Sequence, residues 1–178
     1  HGLQADKLAE ILTAIGLETE SLEEFESIRG GLKGIVMGKI LSCKKHPNAD
    51  KLSVCEVDVG KEDNLKIVCG APNVATGQTV PVATPGTMLY AGEEAFCIKK
   101  TKLRGEVSEG MICAEDEIGV GNSHDGIMVL PDHLKAGTPA SEYFDIETDT
   151  VINIDLTPSR IDAASHIGVA RDMKAYLN

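Results

Sequence analysis

The 178-residue sequence predicts a mainly β protein with α/β flanks, in which a small barrel is inserted into a discontinuous α/β domain. Three observations predict this fold. The first residues have the apolar spacing of a helix, the middle alternates short apolar runs with turn residues, and the last residues return to one strand and one helix. Since the termini of a domain usually lie close together, elements at both ends favour an insertion between them.

The first predicted element is a helix. Its apolar residues are spaced i, i+3, i+4 and i+7, which places them on one face: Leu8, Ile11, Leu12 and Ile15. Gly16 follows where a helix would end. The acidic segment 17–26 is predicted to be a strand edge or a loop, and the glycines at 30 and 31 mark a boundary.

The middle of the chain is predicted to be a barrel of short strands. In one run Cys55, Val57 and Val59 point one way while Glu56 and Asp58 point the other, which is typical of a half-buried strand. The other predicted strands are 35–41, 66–69, 79–83, 95–99 and 127–130. Several short strands at this spacing indicate a closed or partly open barrel with an aliphatic core.

The last segment is predicted to contain a strand and a helix. Ile152, Ile154 and Leu156 alternate with polar residues, which indicates a strand. Asp162 is a candidate N-cap for the final helix. The apolar residues predicted to face inward from this helix are Ile167, Ala170, Met173 and Leu177.

Composition restricts the classes of function. The net charge of −11 is typical of a soluble protein and argues against strong RNA binding, because phosphate binding depends on Lys and Arg. No apolar stretch is long enough for a membrane helix.

The first residues lack the features of a signal peptide, and without an initiator Met they are expected to be processed, trimmed or tag-derived. The five cysteines have no zinc-type spacing and are interpreted as core residues in a reducing cytosol.

One segment is the most specific motif of the chain: His46-Pro47-Asn48-Ala49-Asp50-Lys51-Leu52. It resembles the opening signature of the tRNA-binding domain family, an OB-fold module. Segments 68–74, 103–105 and 108–113 resemble later strands of that family. The resemblance covers about residues 33–143 and implies that the barrel is an OB fold.

The flanks narrow the resemblance to the bacterial phenylalanine–tRNA ligase β subunit. Segments 12–18, 115–120, 124–127, 154–162 and 167–172 are similar to that family, with Ser159 where the family usually has Asn. The resemblance implies an OB domain over 33–147 inside a truncated host domain over 1–32 and 148–178. It also implies that the subunit continues beyond Asn178, where an editing domain and a magnesium-binding region would lie.

Nine residues are candidates for RNA contact, because OB folds bind nucleic acid in positively charged grooves. They lie around the signature and on a later predicted hairpin: Lys44, Lys45, His46, Asn48, Lys51, Lys99, Lys100, Lys102 and Arg104. A structural role is the alternative for the signature, since Pro47 fixes the backbone and Asn48 suits a turn. A solvated hairpin face is the alternative for the later cluster.

A catalytic site has little support in the sequence. Cys113 with His124, or Cys69 with His46, could form a nucleophile–base pair, but no spacing requires either. The sequence predicts no metal site and no cofactor for this fragment.

The resemblance therefore implies a non-catalytic tRNA-binding and architectural module of a cytoplasmic ligase. The whole enzyme would use ATP and Mg²⁺ to attach phenylalanine to its tRNA. Its partners would be tRNA, bound weakly and in a salt-dependent way, a catalytic α subunit and the rest of the β subunit in a heterotetramer. The alternative is a module that only braces the synthetase and does not touch RNA.

Overall fold

The computed structural model describes residues 2–91 and 94–177, which form two compact units. The first unit comprises residues up to Phe25 and from Thr148 onward, and the second comprises Glu26–Glu147. The structure therefore groups residues 26–32 with the barrel, whereas the sequence interpretation placed the boundary after residue 32.

The first unit contains two helices, a two-stranded sheet and a 3₁₀ turn. Its elements are α1 (Ala5–Ala14), β1 (Glu18–Glu26), β11 (Thr148–Asp155), a 3₁₀ helix (Ile161–Ala163) and α3 (His166–Leu177). β1 and β11 form the sheet. The predicted first helix is confirmed: Ile11 and Leu12 are buried, and Gly16 ends the helix with a φ of 82°. Segment 17–26 is a strand over most of its length.

The core of the first unit joins α1, the sheet and α3. Leu12, Leu17, Ala163 and Met173 are buried there. Of the four residues predicted to face inward from α3, Met173 is buried, but the prediction is wrong for Ile167 and Leu177, which are 66% and 56% exposed, and for Ala170, which is also exposed. Asp162 is not its cap either. Ser165 Oγ accepts the N–H of Gly168 at 3.2 Å, whereas Asp162 pairs with Arg160.

The second unit is built on a five-stranded antiparallel sheet in the order β10-β5-β2-β3-β4. Its strands are β2 (Ile35–His46), β3 (Ala49–Asp58), β4 (Leu65–Cys69), β5 (Thr79–Ala83) and β10 (Met111–Ile112). Two hairpins lie between β5 and β10 in the chain: β6 (Met88–Ala91) with β7 (Glu94–Cys97), and β8 (Thr101–Leu103) with β9 (Glu106–Ser108). A 3₁₀ helix (Asp116–Ile118) and α2 (Ala140–Tyr143) complete it.

The sheet curls until its edges meet, which gives the expected OB-like barrel. After β9, the N–H of Glu109 donates to the carbonyl of Lys66 on β4 at 2.8 Å, and β10 pairs with β5. Gly110 lies between these contacts with a φ of 149°, and a Cβ there would lie 2.8 Å from the carbonyl oxygen of Ala83. The barrel therefore closes on a residue that must be glycine.

Two apolar clusters fill the second unit on opposite faces of β2 and β5. The barrel interior holds Ile40, Val57, Ile67, Val80 and Val82, while Ile35, Met37 and Ala83 belong to the second cluster. Because both faces of β5 are covered, all five of its residues are buried. The predicted strand 127–130 is wrong, since this segment contributes only an isolated bridge between Leu130 and Thr79.

The two ends of the second unit are hydrogen-bonded to each other. The N–H of Ser27 donates to the carbonyl of Glu147 at 2.8 Å, and the N–H of Glu147 donates to Ser27 Oγ at 3.0 Å. The chain thus enters and leaves this unit at adjacent residues.

Candidate nucleic-acid interface

The signature motif forms the tight turn between β2 and β3. β2 ends at His46, β3 begins at Ala49, and these two residues face each other across the turn. His46 is only 5% exposed. Its Nδ1 accepts the backbone N–H of Asn48 at 3.0 Å, and its Nε2 lies 3.1 Å from the carbonyl oxygen of Leu103. Since a carbonyl only accepts, these partners assign Nε2 as the donor to Leu103 and Nδ1 as the acceptor from Asn48.

The β8–β9 hairpin supplies the other side of this junction. Leu103 and Glu106 are paired, so Arg104 and Gly105 form the two-residue turn. Their φ angles are 47° and 103°, as a type I′ turn requires. Asn48 Nδ2 donates to the carbonyl of Arg104 at 3.3 Å. The side chains of His46 and Asn48 are therefore both bonded to the β8–β9 hairpin.

This junction joins the two segments that carry most of the predicted cations. The residues with exposed side chains are Lys44 and Lys45 at the end of β2, Lys51 on β3, Lys102 on β8 and Arg104 at the hairpin tip. Lys99, just before β8, is also exposed. Across the ranges 2–91 and 94–177, none of these six side chains forms an ion pair with a carboxylate. We call these six residues the cationic surface.

The three remaining candidates have structural partners. Lys100 is paired with Glu109, and this contact lowers the pKa of Glu109. His46 is buried with both ring nitrogens engaged, and Asn48 is exposed but bonded to the hairpin.

A groove of about 450 Å³ adjoins the cationic surface. Lys44 and Lys45 line it together with Lys66 of β4, which the sequence analysis missed. Lys66 is paired with Glu106, and this hydrogen bond lowers the pKa of the Glu106 carboxyl. The alternation around Ile67, which is buried while Lys66 is exposed, was the signal that could have identified it.

A second concave region of about 390 Å³ lies at the end of the barrel near β4 and β10. The side-chain amide of Asn73 holds the loop that lines it. Asn73 Nδ2 donates to the carbonyl of Ile127 at 2.8 Å, and its Oδ1 accepts the N–H of Ile127 at 2.9 Å. His124 Nδ1 lies 2.9 Å from Asp116, whose hydrogen bond raises the pKa of the imidazole.

The thiols considered as nucleophiles are buried. Burial raises the pKa of Cys113 to about 12 and also raises the pKa of Cys69. Both thiols therefore remain protonated at neutral pH. Because only the thiolate is nucleophilic, neither is suited to attack a substrate. Within the described part of the chain, no group of three or more His, Cys, Asp or Glu residues is arranged to hold a metal ion. No helix among the described residues is long and apolar enough to cross a membrane.

Comparison with known families gives a match over the barrel. Residues 35–139, more than half of the chain, match the family model described as "Putative tRNA binding domain". The matched segment begins with β2 and includes the turn at His46, the groove and the β8–β9 hairpin.

Curated relatives match almost the whole chain. The phenylalanine–tRNA ligase β subunit of Porphyromonas gingivalis is 58% identical over 98% of this chain and 21% of its own length. The β subunits of Bacteroides fragilis and Salinibacter ruber are 56% and 48% identical, again over 98% of this chain and over 21% and 22% of their own lengths. The predicted resemblance to this subunit is confirmed. The chain spans about a fifth of the length of these relatives.

Proposed function

The chain belongs to the tRNA-binding domain family, and from this premise we propose that it binds tRNA through its cationic surface. One observation carries the proposal. The hydrogen bonds from His46 and Asn48 to the hairpin carbonyls unite two basic segments that are more than fifty residues apart in sequence. In OB folds, the loop between the first two strands and the loop between the last two are the ones that bind nucleic acid. Here these are the turn at Pro47 and the region that contains β8 and β9.

Electrostatics make this binding local and salt-dependent. The chain as a whole carries a net charge of −11, which repels RNA at long range. The cationic surface offers six exposed positive charges on two segments of the second unit that meet at His46 and Asn48. Each phosphate that they neutralise contributes about 0.7–0.9 to the slope of log affinity against log salt. Binding should therefore be measurable at low salt and should fall steeply as salt is added.

We further infer that the chain is a non-catalytic part of a phenylalanine–tRNA ligase β subunit. Identity of 48–58% to such subunits over 98% of the chain supports this assignment. Attachment of phenylalanine to tRNA, the use of ATP and Mg²⁺, an α subunit in a heterotetramer and a cytoplasmic location belong to this proposal. The aminoacylation site and its cofactors would then lie outside this chain.

A second candidate function is bracing of the synthetase without RNA contact. Large apolar side chains of the first unit favour it, because a monomer rarely exposes many of them together. Their exposed fractions are 83% for Ile161, 66% for Ile167, 54% for Tyr176 and 56% for Leu177. Such side chains are typical of a surface that other protein covers in the assembled enzyme.

The test is binding of the purified chain to tRNA at low and moderate salt. The test variant changes Lys99, Lys102 and Arg104 of the cationic surface to Gln and keeps Lys100, which is paired with Glu109. The matched control changes three other exposed basic residues to Gln, namely Lys61, Lys135 and Lys174, and alters the net charge equally. Binding that weakens with salt, and weakens far more in the test variant than in the control, supports the proposal.

A third variant separates the two halves of the surface. Changing Lys44, Lys45 and Lys51 to Gln leaves the hairpin intact and should also weaken binding, with a smaller salt slope. Equal loss in the control variant would mean that only net charge matters. No binding of the wild-type chain at low salt would contradict RNA contact and leave the bracing role.

A further inference from the structure

Two cysteines lie directly opposite each other beside the cationic surface. Cys43 on β2 and Cys55 on β3 are register partners in the antiparallel sheet. Their sulfur atoms are 3.5 Å apart, and both thiols are reduced. The next residue along β2 from Cys43 is Lys44, and Cys55 lines the same groove as Lys44 and Lys45.

We propose that Cys43 and Cys55 form a redox modification site, in which a peroxide converts the two thiols into a cross-strand disulfide. The geometry needs little change. Opposed residues of antiparallel strands have Cα atoms about 4.5–5.5 Å apart, within the range that disulfides span. The sulfurs need to approach from 3.5 Å to about 2.05 Å, which side-chain rotation and small strand shifts can provide.

Exposure assigns different roles to the two thiols. Cys43 is half-buried and therefore reachable from solvent, whereas Cys55 is fully buried. Burial also raises the pKa of the Cys55 thiol, so it is a poor first nucleophile. Cys43 is thus the residue that meets the oxidant, and Cys55 is the residue that resolves the product.

The chemistry balances with hydrogen peroxide as the oxidant. Cys43 gives up its proton and the thiolate attacks one peroxide oxygen. The O–O bond breaks, Cys43 becomes a sulfenic acid, and the hydroxide that leaves takes up the Cys43 proton to form the first water. The Cys55 sulfur then attacks the Cys43 sulfur, the S–O bond breaks, and the released hydroxide takes the Cys55 proton to form a second water. Two thiols lose two electrons in total, and one peroxide is reduced to two waters.

The other cysteines lack such a partner arrangement. Cys97 is exposed, and its thiol is bonded to the carbonyl of Ile98. Cys113 is buried, and its thiol contacts the carbonyl of Met111. Cys69 is buried on β4, where its register partner is Ser53 rather than a cysteine. Cys69 is the competitor that the experiment must separate from Cys43.

The experiment is peptide mapping of the whole chain after peroxide treatment. The protein is exposed to hydrogen peroxide, remaining thiols are alkylated, and trypsin digestion is done without reductant. Trypsin places Cys43 in peptide 40–44 and Cys55 in peptide 52–61, each with a single cysteine, whereas Cys69 and Cys97 share peptide 67–99. The expected product is peptide 40–44 joined to peptide 52–61, with the loss of two hydrogen atoms.

Three variants give the outcome a clear interpretation. Cys43→Ser and Cys55→Ser should each abolish the joined peptides, while the control Cys97→Ser should leave them unchanged. In Cys55→Ser, Cys43 should accumulate as a trapped sulfenic acid. The proposal is overturned if Cys55 joins peptide 67–99 instead, or if Cys97 oxidises while Cys43 and Cys55 remain fully alkylated. Circular dichroism of each variant confirms that the comparison is made on folded protein.

Discussion

The imidazole of His46 is bonded to the backbone carbonyl of Leu103, 3.1 Å from Nε2, although 57 residues separate them in sequence. The most specific motif of the sequence thus holds the hairpin that carries Lys102 and Arg104. We interpret His46 as a positioning residue of the cationic surface, because its buried ring has no free nitrogen to offer RNA.

Substitution His46→Ala should destabilise the second unit by about 1–3 kcal/mol, because the Leu103 carbonyl and the Asn48 N–H lose their partner. Urea denaturation followed by circular dichroism measures this change. The exposed His133 supplies the control, since His133→Ala should change the free energy of unfolding by less than about 0.5 kcal/mol. Equal effects of the two substitutions would contradict the role of His46.

Substitution Arg104→Asn should separate stability from RNA binding. Arg104 has a φ of 47°, a conformation that Asn adopts more readily than Arg. The free energy of unfolding should stay the same or rise by up to about 1 kcal/mol, while tRNA affinity falls with the lost charge. Arg104→Val is the contrasting variant, which should lose both stability and affinity. A less stable Asn variant would contradict the turn assignment.

Substitution Gly110→Ala should destabilise the second unit by about 3 kcal/mol or more, because a Cβ would press on the Ala83 carbonyl where the barrel closes. Gly86→Ala measures the cost of the positive φ alone, without a steric clash. Gly86 has a φ of 96°, and no atom lies within 4 Å of the position that a Cβ would take. This substitution should cost about 1 kcal/mol. Thermal or urea unfolding compares the two, and similar losses would show that closure does not depend on Gly110.

Titration of His124 by NMR tests the contact with Asp116, which raises the pKa of the imidazole above its ordinary value. Asp116→Asn should move this pKa downward, whereas the control Asp132→Asn should not. Because the folded-state pKa is raised, the contribution to stability is present below the unfolded value of about 6.5 and is lost as pH rises through the folded value. An unchanged His124 titration in Asp116→Asn would show that the contact does not form in solution.

The strands of the barrel could be predicted because apolar and polar residues alternate along them. The prediction succeeded for 79–83 and failed for 127–130, although both are short apolar runs. The two segments differ in their tertiary contacts. Both faces of β5 are covered by apolar clusters, while segment 127–130 is fixed by its backbone bonds to Asn73 and Thr79.

The buried face of α3 was predicted wrongly because a glycine makes the close contact of this helix with its neighbour. A Cβ at Gly168 would lie 2.0 Å from the carbonyl oxygen of Asp162, so the helix backbone itself approaches the neighbouring turn. A residue without a side chain contributes nothing to an apolar pattern, and the pattern formed by Ile167, Ala170 and Leu177 therefore pointed to the wrong side. The candidate cations could be named from the sequence, but the contacts of His46 that join their two segments could not be read from spacing.

The second unit, whose ends are hydrogen-bonded at Ser27 and Glu147, interrupts the first unit in sequence. This interruption sets the order in which the parts of the first unit are synthesised. The ribosome completes the second unit before it makes any of β11 or α3, so the barrel can fold while the first unit still lacks three of its five elements. At 5–20 residues per second, α1 waits roughly ten seconds for its partners. During that time Ile11, Leu12 and Leu17 remain uncovered on the nascent chain. The apolar face of α1 is thus buried only after the segment that follows the second unit has been made.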